Sequence, residues 1–440
     1  MVPASAFSAP RYRIANATLP VCLTDAPGLV PDADGLAPAD LVLADGRIEA
    51  ILPAGPAPEA GLPVVDLDDG LVLPGLVDIH THLDKSQTWP RAPNPDGAFF
   101  SALTALGADK VNWTEDDVRR RMEFSLRTAY AHGTTAIRTH IDSMAPQHRV
   151  TWPVVAELRE KWAGRITLQA SALMSVEWAA TDPGFADVAR VAIAHGGLVG
   201  AATTMSPNLE AGIEKLMRLA IDHGLDLDLH VDEPAEEPLG RALDLVARIA
   251  LRLNFPHRIL CGHCCSLAVR PDDEARRTLD LVAEAGIAIV SLPMCNLFLQ
   301  DRVPDRTPRW RGVTLLHEMK ARGIPVAIAS DNTRDAFYAY GDMDLVEVLR
   351  EGTRILHLDR PVGDWPQLVA SAPADIMGLP AHGRLAVGGA ADMSLFSARS
   401  WTELHARPQS DRVVLRNGAA IDRTLPDYRE LDDLMGRRRG

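Results

Sequence analysis

His80 and His82 lie one residue apart in "GLVDIHTHLDKSQTWPR", at the end of an apolar run. In a strand, residues two apart point to the same side, so these imidazoles converge. Two neutral imidazoles can hold one metal ion at about 2.0–2.1 Å, although two histidines can also simply pack near a strand end. Further along, His230 and Glu233 close "DLDLHVDE", His263 closes "RILCGHCC" and Asp331 closes "PVAIASDN". Each follows an apolar run that reads as a strand. One such residue could be a satisfied core group. Four, together with the His-x-His pair, argue for a metal site that could activate water.

These residues need a scaffold that presents strand ends on one rim. Strand candidates end at Asp78–Leu83, Ala136–Asp142, Ile166–Met174, Leu198–Thr204, Leu225–Glu233, Arg258–Cys264, Ile287–Cys295 and Pro325–Asn332. Helical stretches separate most of them. In "TEDDVRRRMEFSLRTAYAHG", Thr114 can cap the start and Gly133 can stop the helix, and Asn208 and Gly224 do the same for "NLEAGIEKLMRLAIDHG". Eight such units predict an α/β fold, a (β/α)8 TIM-type barrel over residues 74–382. Active sites of such barrels lie at the C-terminal ends of the strands. Residues 1–73 and 383–440 read differently. "DLVLADGRIEAILPAG" is a hairpin around Asp45-Gly46, "VVDLDDGLVL" a further strand pair, and Pro53 to Pro63 an exposed loop. The two ends are expected to combine into one small β-sandwich domain, since neither is long enough for a stable sheet alone.

The totals narrow the partners. With 45 basic and 59 acidic residues in 440, the net charge is −14, which gives no footprint for nucleic acid. The terminal "RRRG" reads as a solvated tail. Cysteines number five, an odd count in a long chain, so no disulfide framework is implied. The opening stretch does not read as a secretory signal, and no apolar run reaches the length of a membrane span. A cytoplasmic enzyme is expected, without membrane attachment and compatible with a homo-oligomer.

The set of His-x-His on the first strand, histidines on the fifth and sixth and Asp on the eighth resembles the amidohydrolase superfamily. The "LPGLVDIHTH" start and the "GRLAVGGAADMSLF" return belong to the same resemblance. "HLDKSQTWP", "RTHIDS", "HVDE", "NLFLQDR", "WRGVTLLHEM" and "SDNTRDAFYAYG" are similar, in this order, to motifs of the cytosine deaminase group. The resemblance implies that His80, His82, His230 and Asp331 hold one divalent metal, zinc or iron. It implies that Glu233 shuttles a proton to a ring nitrogen. His263 would orient or deprotonate the attacking water, helped by Asp331. Binuclear members carry a carboxylated lysine on the fourth strand; "LVGAATTMSP" has none, which favours a single metal. The chemistry stands on its own terms too: a metal lowers the pKa of water toward 7, and an unligated glutamate can protonate the ring.

The substrate-reading positions depart from the group. Its pyrimidine-reading glutamine falls at Ser175 in "LQASALMS", with Gln169 a further substrate-binding candidate in the same run. The paired Asp after the eighth strand is Asn332, and the aromatic that packs on the base is Phe337. The leading expectation is therefore hydrolytic deamination of a cytosine-like amino-substituted N-heterocycle by metal-bound hydroxide, releasing ammonia. A pterin, purine-like or triazine ring is the alternative, as is hydrolysis of a cyclic or linear amide. A scaffold without catalysis ranks last, because every expected ligand is present. In the loop after His82, Lys85, Trp89 and Arg91 could meet a polar ring or sit at a solvated edge. Cys261 and Cys264 form a Cys-x-x-Cys, read as apolar filling because a second such pair is missing. His132, His195 and His223 precede glycines at helix ends and read as structural. His140, ending the second strand, could touch a ligand but reads first as a support to the site or the core.

Overall fold

Asp45 and Gly46 adopt left-handed backbone (φ 48° and 80°), the two-residue turn that matches hairpin twist. They join strands β2 (Leu36–Ala44) and β3 (Arg47–Pro53), and β2 pairs with β1 (Arg11–Pro20). The computed structural model describes residues 3–55, 61–235, 239–408 and 411–436. The expected loop from Pro53 to Pro63 lies partly, and the "RRRG" tail wholly, outside the described residues. Contacts divide the chain into two units.

The first unit comprises Met1–Asp78, Arg127–Ala136 and Asp344–Leu425. Its sheets run β3-β2-β1-β4 and β16-β15-β14-β5. The remaining strands are β4 (Val64–Asp66), β5 (Val72–Pro74), β14 (Met393–Leu395), β15 (Val413–Arg416) and β16 (Ala419–Ala420). One apolar core joins both ends of the chain, with Ile14, Leu41, Ile48 and Val72 beside Leu385, Met393 and Leu415. The "VVDLDDGLVL" stretch corrects the expected strand pair. β4 lies parallel to β1, whereas β5 lies antiparallel to β14. Asp68 and Asp69, both at positive φ, turn the chain between them.

The second unit comprises Ile79–Leu126, Ile137–Met343 and Pro426–Gly440. Eight further strands pair parallel to one another: β6 (Leu76–Thr81), β7 (Thr134–Asp142), β8 (Thr167–Leu173), β9 (Val199–Ala202), β10 (Leu227–Val231), β11 (Ile259–His263), β12 (Ala288–Ser291) and β13 (Val326–Ile328). Each overlaps one of the eight expected strands. Sheets β6-β7-β8 and β13-β12-β11-β10-β9 are joined by parallel bridges Ser171 to Leu198 and Thr81 to Asp331, so the pairing closes on itself. Most residues in these strands are buried, which is why they read as continuous apolar runs. The seventh ends sooner than expected. Pro293, without an N–H to donate, opens a helix over Pro293–Leu299.

Helices α1 (Phe99–Asp109), α2 (Glu115–His132), α3 (His148–Trp162), α4 (Val176–Thr181), α5 (Phe185–Ala194) and α6 (Leu209–His223) connect the earlier strands. Thr114 Oγ1 accepts from Asp117 N at 3.2 Å, as the α2 cap requires, and Gly224 ends α6 in the left-handed region. Among the described residues no helix is long and apolar enough to cross a membrane.

Candidate active site

The site lies wholly within the second unit. β6 delivers His80, and His82 follows its end; β10 delivers His230, and Glu233 follows its end; β11 delivers His263, and the turn after β13 delivers Asp331. The chain turns sharply at two of these strand ends. His263 and Asp331 adopt positive φ of 68° and 61°, a strained state for residues other than glycine that is tolerated where function requires it. Backbone bonds hold both turns: Asp331 N donates to His80 O at 2.9 Å, and Cys264 N to Val231 O at 2.8 Å.

The nitrogen and oxygen atoms of these side chains converge. His82 Nε2 lies 3.2 Å from His230 Nε2 and 3.2 Å from Asp331 Oδ1. His80 Nε2 lies 3.6 Å from Asp331 Oδ1 and, among the described residues, has no hydrogen-bond partner although it is buried. Ligands about 2.0–2.1 Å from one tetrahedral ion stand roughly 3.3 Å from each other, so this spacing fits a metal. The ligand atoms of His80, His82 and His230 all lie within 4.8 Å of one another, as do those of His80, His263 and Asp331.

Electrostatics favour the same use. Burial, then the neighbouring rings and Lys85, push His80, His82 and His230 well below the usual histidine value, so each keeps a lone pair for a cation. His263 falls to about 3, chiefly by burial. Asn296 Nδ2 donates to its Nδ1 at 3.1 Å, which leaves the ring proton on Nε2, a buried atom without a hydrogen-bond partner. Glu233 approaches His263 Nδ1 at 3.4 Å. Burial, then Asp331, raise its carboxyl well above the ordinary range.

A cavity of about 590 Å³ opens onto His82, His230, Glu233 and His263. Ser175, Asn332 and Phe337 line it. Asn332 Nδ2 donates to Asp335 at 2.7 Å, and Phe337 packs edge-on to Phe99 with ring centres 5.7 Å apart. Gln169 and Trp89 do not line it. Gln169 sits near the start of β8, away from the strand end, and accepts from Arg138 Nε at 3.0 Å. Trp89 is held through its backbone to Arg334 O. Arg91 is committed to Asp109 and Asp117. Lys85 does line the cavity, with its ammonium 3.1 Å from Asp142 and over the Phe337 ring.

Sequence reasoning missed three contributors. Asp228, fully buried, faces His140; Asp142 joins Lys85 to Lys110 at 2.9 Å; and α1 supplies Phe99, Phe100 and Leu103 to the cavity wall. The same-side rule that pairs His80 with His82 also pairs Asp228 with His230 and His140 with Asp142, so that signal was available. All five cysteines are free, and Cys261 and Cys264 are buried.

A family model described as "Amidohydrolase family" matches residues 163–421. Pterin deaminase of Rhizobium rhizogenes is 55% identical over 98% of this chain and 98% of its own. N-isopropylammelide isopropyl amidohydrolase of Pseudomonas sp. is 25% identical over 81% of this chain and 87% of its own. In structure, 5-methylcytosine deaminase from Klebsiella pneumoniae superposes with a TM-score of 0.81 at 24% identity, covering 94% of this chain and 98% of that one. With this family model over more than half of the chain and this relative over nearly all of it, the chain belongs to the amidohydrolase family.

Proposed function

We propose that this protein is a metal-dependent hydrolytic deaminase of an amino-substituted N-heterocycle, with a pterin as substrate. The observation that carries the reading is the 55% identity to a pterin deaminase across 98% of both chains. It supports the pterin alternative over the cytosine-like ring. The cavity supports it: 590 Å³ is ample for a bicyclic ring, with apolar residues such as Phe99, Leu103 and Phe337 beside polar ones such as Lys85, Ser175 and Asn332. The architecture that goes with this function is a (β/α)8 barrel over residues 74–382 and a small β-sandwich from 1–73 and 383–440.

His80, His82, His230 and Asp331 would hold one divalent ion, zinc or iron. That ion would supply a water acidic enough to ionise near neutral pH. The remaining steps belong to the chain. His263, neutral with its proton on Nε2, donates to the water oxygen and holds it toward the carbon that bears the amino group. Asp331 takes the proton the water loses. Glu233, kept protonated by burial, gives its proton to the adjacent ring nitrogen as the C–O bond forms. The C–N bond then breaks, the amino group leaves as ammonia with the proton held by Asp331, and the new hydroxyl returns its proton to Glu233 as the ring keeps an oxo group. Ser175, Asn332 and Phe337 would read the ring; unpaired buried polar groups make a wrong ring costly.

Ammonia release tests the reading. Metal-loaded protein should turn over pterin with kcat/KM at least tenfold above that for cytosine, 5-methylcytosine or an aminotriazine. Release from cytosine with none from pterin would return the substrate to a monocyclic ring. Silence across the panel with metal bound would favour amide hydrolysis.

A further inference from the structure

We propose that His140 is a positioning residue for the metal centre: its Nε2 accepts a hydrogen bond from His80 Nδ1 and so fixes the tautomer that turns the His80 Nε2 lone pair to the ion. The inference rests on the reading of His80 as a ligand. His140 Nε2 lies 3.1 Å from His80 Nδ1, and the ring centres are 4.1 Å apart. Both side chains are fully buried, so water cannot take the place of either partner.

One of these two nitrogens must carry the proton. If His140 Nε2 carried it, His80 would hold its own proton on Nε2, the atom 3.6 Å from Asp331 Oδ1. That nitrogen could then bind no metal. Ligation therefore requires His80 Nδ1–H donating to His140 Nε2, with the His140 proton on Nδ1. A ligating histidine ordinarily gives its second N–H to a carboxylate, a carbonyl or water. Here the acceptor is a second imidazole. Beside it Asp228 Oδ1 stands 3.7 Å from His140 Nε2, beyond hydrogen-bond reach, while Arg138 Nη1 donates to Asp228 Oδ2 at 3.2 Å and Arg138 Nε donates to Gln169. Hydrogen bonds thus link β8, β7 and β10 next to the His140 ring. The His80 ring also rests close to the β11 backbone: a Cβ on Gly262 would lie 2.8 Å from His80 Cε1 and 3.1 Å from His80 Nδ1.

Zinc titration of the chelator-stripped protein against a chromophoric competitor separates this role from a packing role. His140→Leu should weaken zinc binding by about 10–100-fold while the apo protein melts as the wild type does. His140→Gln, whose amide oxygen can stand where Nε2 stood, should recover most of the affinity. Wild-type affinity in His140→Leu would overturn the proposal. A loss in His140→Gln as large as in His140→Leu would also overturn it. If His140→Leu does not fold, His140→Gln decides alone: affinity near wild type sustains the role, and a loss matching that of His80→Ala ends it. Should His80→Ala bind zinc like the wild type, the ligand reading of His80 fails instead.

Discussion

Glu233 can act as an acid only if it holds a proton, and its surroundings provide for that. Burial and the nearby Asp331 raise its carboxyl well above the ordinary range. Glu233→Gln keeps the shape and removes the proton transfer. The expected outcome is full metal content with kcat reduced by about 10²–10⁴; near-normal turnover would remove Glu233 from the mechanism. Asp331→Asn should act differently, since Asp331 Oδ1 stands with the histidine nitrogens. Metal content by elemental analysis and rate should both fall, and unchanged values of the two would take it out of the site. At this scale the sequence was informative for residues that share a strand face or follow an apolar run. It was uninformative for Gln169 and Trp89, because a position within a run does not reveal which end of the strand meets the cavity.

The strands announced themselves by buried apolar runs, and the helices by Thr114 and Gly224 at their ends. Helix α1 was not legible. Ala98 before it supplies no side-chain cap, and "FFSALTALGAD" has too few polar residues to show a helical period. It nonetheless carries Phe99 and Phe100 into the cavity wall. The strand partners of β4 and β5 were hidden for another reason: both pair with segments distant in sequence. β11 offers a test of how strand packing sets the site. Gly262→Ala would drive a methyl group against the His80 ring. The fold should persist while zinc affinity drops by at least tenfold; an unchanged titration would show that the His80 ring has space to move. This outcome depends on register alone, since Gly262 contributes no polar side chain.

For the molecule as a whole, acid sensitivity can be argued from the first unit. Burial would raise Asp344, but Arg412 and then His132 overcome it and hold the carboxyl at about 2. Arg412 Nη1 donates to it at 2.8 Å, and Val346 N at 3.0 Å. The folded value lies below the unfolded value of about 3.9. The stabilisation is therefore complete above about pH 4 and is lost as pH falls toward 2. Its size is on the order of 2 kcal/mol. Asp344→Asn should lower stability at neutral pH and flatten the acid limb of urea midpoints between pH 4 and 2; a limb as steep as in the wild type would place the acid lability elsewhere.

The ring of parallel strands closes where Thr81 bridges Asp331, and His80 and His82 meet Asp331 at that same seam. An ion held there would act as a rivet between the first strand of the ring and the last. The melting temperature would then be a reading of free metal as well as of sequence. At a hundred times its dissociation constant, an ion that binds only the folded chain contributes about 2.7 kcal/mol. Two preparations of the identical polypeptide, one exposed to chelator on the way, would melt at different temperatures, and variants are comparable only at matched metal activity.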